Sequence, residues 1–155
     1  MRVRALNDRY DLCIIDCGPS LGLLMLDAIV AATDVIIPVQ VYHYAFEGIK
    51  RLLDTVRIVA ERFYPCSAQV LGILLTFVED RASCTRQIQH QLRESFGDLV
   101  FDTVIHRTVV LIEAPGSGQS VLTYAPPSRA AAEYRALADE TMARLNADEK
   151  IFAGT

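Results

Sequence analysis

The sequence predicts an α/β fold, a mostly parallel sheet flanked by helices, and three observations carry that expectation. Short apolar runs alternate with longer amphipathic ones four times along the chain. Clusters of Gly, Pro and Ser punctuate the changes of period. No internal repeat, low-complexity tract or linker interrupts the 155 residues, so 1–155 read as a single domain.

The elements follow in order. Leu12-Cys13-Ile14-Ile15 ending at Asp16 reads as a strand buried on both faces. Gly18-Pro19-Ser20 breaks it, and Leu21 to Ala32 has the length of a helix, apolar nearly all round. Val35-Ile36-Ile37 is a second buried strand, and regular pairing on that side should stop near Pro38, which has no N–H to donate. Residues 43–63 form the clearest helix, with Phe46, Ile49, Leu53, Val56, Ala60 and Phe63 on one face. Glu47/Arg51 and Arg57/Glu61 stand at i,i+4 on its solvated side, and Pro65 closes it. Val70 to Thr76 is a third strand. Ser83 can cap a helix with a stripe of Cys84, Ile88 and Leu92, and Gly97 stops it. Val100 to Ile105 is a further strand. Residues 106–127, with Pro115, Gly116, Gly118, Pro126 and Pro127, read as a long, partly irregular connection. Ser128 caps a last helix with Ala131, Tyr134, Ala138, Thr141 and Leu145 on one side, and 148–155 read as a frayed tail.

Composition excludes several classes. With 52% apolar residues the chain can offset the entropy of ordering its backbone, so it is not a disordered segment. The most apolar stretch, Leu21 to Val39, holds Asp27 and Asp34, whereas a membrane span needs about 20 nearly uncharged residues. The early arginines are followed by no apolar h-region, so a cytoplasmic protein without membrane contact is expected. A net charge of −4 gives no global footprint for nucleic acid. Cys13, Cys17, Cys66 and Cys84 form no C-x-x-C pair and read as buried, reduced structural thiols.

Ligands of open parallel sheets bind beyond the carboxyl ends of the strands, which directs attention to Asp16–Ser20, Gln40–Tyr44, Thr76–Arg81 and His106–Thr108. An aspartate after an apolar strand has the form of a Walker B element, which helps hold Mg²⁺ through its water shell. The same residue serves equally to cap the next helix, and spacing alone leaves both readings open. His106 stands without a nucleophile or metal partner in sequence, and reads as a solvated loop histidine rather than a general base.

A longer pattern adds to this. Tyr10-Asp11-x-x-Ile14-Ile15-Asp16-Cys17-x-Pro19-Ser20-Leu21-Gly22 is followed by Ile37-Pro38-Val39-Gln40, Tyr44-Ala45-x-Glu47-Gly48 and Gly72-Ile73-Leu74-Leu75-Thr76. Phe96-Gly97-Asp98, Glu113-Ala114-Pro115, Gly118 and the Tyr124 to Tyr134 region continue it. In that order and spacing the chain resembles the ParA/Soj branch of the ParA/MinD partition ATPases over almost its whole length. The resemblance implies a P-loop-NTPase-like sheet, Mg-ATP as the family's cofactor, and a role in chromosome or plasmid segregation. It implies Asp16 as the Walker B aspartate, and Thr76, His106 and Arg107 on the side of the nucleotide base. It also implies Arg81 as a DNA-contact candidate and a ParB-like partner.

The departures are as informative. A P-loop ends in Gly-Lys-[Ser/Thr], whose amides and lysine neutralise the phosphates. Here Lys50 follows Ile49, Lys150 follows Glu149, and no Gly-Lys pair occurs. The expectation is the C-terminal portion of a ParA-like domain without its P-loop strand, inactive alone and with no cofactor of its own. Where the family usually reads Ile-Pro-Arg-Asn this chain has Ile105-His106-Arg107-Thr108, and an expected arginine after Arg107 is Val110. Non-specific DNA binding should therefore be weak and salt-sensitive. The alternative reading is a non-catalytic, oligomerising interaction module derived from the same fold. Either reading predicts a homo-oligomer that covers the first helix and the Leu12–Asp16 edge.

Overall fold

The computed structural model describes residues 10–152 other than 19, 21, 43–44 and 80–82, with the backbone alone at 83–84 and 148–152. The chain forms helix α1 (Leu23–Ala31), strand β1 (Asp34–Gln40), α2 (Ala45–Arg62), β2 (Gln69–Val78) and α3 (Ser83–Phe96). One turn of 3-10 helix at Gly97–Leu99 leads to β3 (Val100–His106), and α4 (Val110–Gly116), α5 (Val121–Tyr124) and α6 (Arg129–Phe152) follow. The three strands make one sheet in the order β1-β2-β3. Gln69 donates to the Thr33 carbonyl at one end of β1 and Val41 to the Thr76 carbonyl at the other, so β1 and β2 run parallel. The parallel α/β expectation holds.

By contacts the chain divides into two compact units, Met1–Val35 with Ile49–Val70, and Ile36–Gly48 with Leu71–Thr155. The core of the first is Ile29, Val56, Val59 and Ala68, with Met25, Leu26, Val30, Val35, Cys66 and Val70 packed around it. In the second, Leu71, Leu74, Phe101 and Ile105 pack with Leu111, Leu137 and Leu145, beside Ala114, Val121, Ala130 and Ala131.

Several expectations need correction. The run Leu12–Ile15 is not a strand: residues 12–18 have no regular secondary structure, and Ile14 is 85% exposed. A strand exists only as half of a ladder, and among the described residues none pairs with this one. Cys13 and Cys17 are exposed for the same reason, while Cys66 is half-buried and donates to the Ile29 carbonyl at 3.7 Å. Strand β1 runs through Pro38 to Gln40, and among the described residues no strand pairs on the side its nitrogen faces, as expected. The backbone groups of residues 33 and 41 face β2, and a period of two turns Pro38 toward the open edge, where its missing N–H costs no ladder bond. On α2, Arg57 pairs with Asp54 at 3.1 Å instead of Glu61.

The connection 106–127 carries two short helices. Pro115 lies in the last turn of α4, where it removes at most one backbone bond, and Gly118, in the left-handed region at φ 65°, follows its end. Gly97, at φ 53°, stops α3 as expected. The Ser128 Oγ accepts from the Ala131 N–H at 3.1 Å, as the cap expectation required. The buried face of α6 differs in part from the expected one. Ala131, Thr141 and Leu145 are on it as expected, Tyr134 and Ala138 are not, and the helix also presents Ala130, Leu137 and the polar trio Glu133, Glu140 and Arg144. It also continues to Phe152, so the tail expected from 148 begins as helix, and 153–155 lie outside the described residues.

Candidate functional site, a groove at the carboxyl ends of β2 and β3

Two irregularities shape the ends of the parallel pair. Ile73 is opposite Val100, Leu75 opposite Val104 and Val78 opposite His106, so β3 holds extra residues around 101–103 and β2 one near Phe77. Phe77 has a positive φ of 54°, rare for a bulky residue, and this turns its ring outward, 57% exposed. It stands at the rim of a cavity of about 740 Å³ whose walls include Gln40, Thr76, Ile105, His106, Thr108 and Ile112. The lining is largely apolar. Thr108 Oγ1 is buried there with no hydrogen-bond partner among the described residues, a cost of about 1–3 kcal/mol unless a ligand or water pairs with it.

The structure brings Thr76, His106 and Arg107 to this one groove. His106 is not the solvated loop residue expected. It is the last residue of β3 and 8% exposed. Its backbone N–H donates to Glu133 Oε2 at 3.0 Å, and its Nδ1 lies 2.6 Å from Glu133 Oε1. Its Nε2 lies 2.7 Å from Arg129 Nη2, and Arg129 Nε also donates to Glu133 Oε1 at 2.7 Å. A guanidinium nitrogen only donates, so Nε2 accepts and the ring hydrogen sits on Nδ1, facing the carboxylate. Sequence reasoning missed Glu133 and Arg129; their i,i+4 spacing at the start of a capped helix was the available signal. Arg107 is exposed and bridges to Glu79 at 3.0 Å, tying the residues after β2 and β3 together at the surface.

Asp16 belongs to the other unit, exposed in the segment without regular structure. Arg81 lies outside the described residues. Among the described residues no three His, Cys, Asp or Glu side chains gather to hold a metal ion, and no helix is long and apolar enough to cross a membrane.

A protein-family model described as an AAA domain matches residues 1–68. Over 142 residues the chain is 45% identical to the chromosome-partitioning ATPase Soj of Thermus thermophilus, covering 91% of this chain and 57% of that protein. It is 39% identical over 142 residues to the chromosome partitioning protein ParA of Myxococcus xanthus, covering 92% and 50%. The chain belongs to the ParA/Soj family. It spans about half the length of the curated relatives it matches. Among solved structures, cobyrinic acid a,c-diamide synthase from Mycobacterium smegmatis superposes with a TM-score of 0.68 at 30% identity, over 88% of this chain and 49% of that one. The same enzyme with a bound ATP analog and magnesium superposes at 0.60, over 76% and 52%. The P-loop-NTPase-like fold is thereby established for this family member.

Proposed function

We propose that this chain forms the base-side part of a ParA-type segregation ATPase, for chromosome or plasmid partition, and that its 155 residues alone do not hydrolyse ATP. The observation that carries the reading is the 45% identity to a chromosome-partitioning ATPase across nine-tenths of the chain. The groove fits one end of the nucleotide. Its apolar walls suit a flat base, and the unpartnered Thr108 hydroxyl offers a hydrogen bond that water would otherwise supply. The other end is not provided for. Phosphoryl transfer rests on positioning and charge neutralisation; these 155 residues hold no Gly-Lys pair, and among the described residues no three His, Cys, Asp or Glu side chains gather to hold Mg²⁺.

Thr76, His106 and Arg107 are then the base-side contacts, Asp16 the magnesium-side carboxylate, and Arg81 a weak, non-specific phosphate contact on DNA. A ParB-like partner and a cytoplasmic location go with the same reading. Titration with adenosine followed by NMR is expected to shift the Thr76, Arg107 and Thr108 amides at millimolar concentration. Calorimetry with Mg-ATP is expected to give no micromolar binding, and a phosphate-release assay no turnover. Micromolar affinity, or turnover lost in Asp16→Ala, would overturn the inactivity; adenosine shifts absent from the groove would overturn the base-side reading.

A second reading, an oligomerising interaction module, is favoured by the apolar side chains this chain leaves uncovered. Leu23 and Leu24 on α1 are 80% and 86% exposed, close in sequence to the uncovered run at Leu12–Ile15.

A further inference from the structure

We propose that Glu133, with Arg129, is a positioning pair that fixes the groove wall at His106, the last residue of β3. The inference rests on the reading of this groove as the base side of a nucleotide site. Proline at this place would fix φ and present no N–H. Histidine instead brings a backbone N–H and a polar ring to the last residue of β3, both needing partners once buried.

Glu133 supplies them together. One carboxylate oxygen takes the His106 backbone N–H at 3.0 Å and the other takes Nδ1–H at 2.6 Å. The N–H that proline would lack lies on the side of β3 away from β2, where Glu133 takes it, while the regular ladder bond runs from Arg107 N–H to the Val78 carbonyl at 3.0 Å. Arg129 closes the arrangement by donating to Nε2 and to Glu133 Oε1. The imidazole is therefore held in one tautomer and one orientation, and the wall between Ile105 and Thr108 is anchored to the first turns of α6. Glu133 touches no ligand in this scheme; it acts through His106.

The test is a double-mutant cycle on the whole chain, comparing Glu133→Gln, His106→Pro and the pair. The amide of E133Q keeps the volume but has one acceptor oxygen where the carboxylate has two, so it cannot serve the ring and the backbone with separate oxygens. Expected for E133Q are a change in the His106 ring 15N shifts away from the Nδ1–H pattern and about tenfold faster hydrogen exchange at the Arg107 amide. His106→Pro removes both groups that need Glu133, so in that background E133Q is expected to change Arg107 exchange less than about twofold. These readouts need no ligand. Adenosine affinity supplies a separate one, falling severalfold in E133Q and recovering in the double variant. Unchanged ring shifts and exchange in E133Q, or equal effects of E133Q with and without His106→Pro, would overturn the proposal. If E133Q alone does not fold, a folded double variant supports the proposal, and an unfolded one overturns it. Loss of adenosine binding in the wild type with the exchange cycle intact would remove the nucleotide reading and leave the positioning role standing.

Discussion

Gly72 shows what one residue contributes to this fold. It sits on β2 under the bulged part of β3, where a Cβ would lie 2.5 Å from the Phe101 Cε2, 2.8 Å from its Cδ2 and 2.9 Å from the Leu99 carbonyl oxygen. Phe101 is itself fully buried, with the Arg144 guanidinium 4.2 Å over its ring, so the ring has nowhere to retreat. Gly72→Ala is expected to destabilise the chain by about 1–3 kcal/mol in urea unfolding, as overpacking does, and Phe101→Leu in the same chain should recover part of the loss. A neutral Gly72→Ala would mean that the strands separate there without cost. The glycine is visible in the sequence, but the ring it accommodates stands far along the chain on another strand, and no spacing rule connects the two.

At the scale of elements, α6 closes the outer edge of β3. The bulge at 101–103 turns two successive N–H groups outward, and Glu140 takes both, Asp102 at 2.9 Å and Thr103 at 2.8 Å. Arg144, one turn on, donates to the carbonyls of Leu71, Asp98 and Val100 and to Glu140. An open strand edge is thereby blocked against pairing with another chain. Burial works to raise the Glu140 carboxyl, but the hydrogen bonds from Thr103, Asp102 and Arg144 outweigh it and hold the group below its ordinary value of 4.5. A group depressed on folding contributes stability above its unfolded value, and that contribution is lost as pH falls through the folded one. The thermal midpoint is therefore expected to drop more steeply below about pH 4.5 in the wild type than in Glu140→Gln, with the two curves converging in acid. Parallel curves across the acid range would show that Glu140 carries none of the dependence. Apolar periodicity does not find the whole of this face of α6, because a helix docked on a bulged strand edge buries carboxylates and a guanidinium as well as apolar groups.

For the whole molecule, the uncovered apolar surface argues for assembly. Leu12, Ile14, Leu23 and Leu24 are all exposed in the first unit, and a marginally stable chain gains from removing such residues from water, at about 25 cal/mol per Å². Light scattering at high micromolar concentration is expected to show a dimer or larger species that Leu24→Lys dissociates. A folded, strictly monomeric chain would contradict this.

The parallel α/β order, the 43–63 helix, the Ser128 cap, the Gly97 stop and the resemblance to partition ATPases are all legible in the sequence. Each depends on local chemistry: the period of apolar residues, a hydroxyl before a helix, a residue free to adopt positive φ. Tertiary structure decided the rest. Leu12–Ile15 has the composition of a buried strand and is none, because a ladder needs a partner that composition does not supply. Pro38 passes through β1 because the hydrogen-bonding parity of that strand turns its nitrogen outward. His106, alone in the sequence, is buried between Glu133 and Arg129 because α6 returns more than about twenty residues later to dock beside β3. Local pattern names the elements; only their docking determines which polar groups meet.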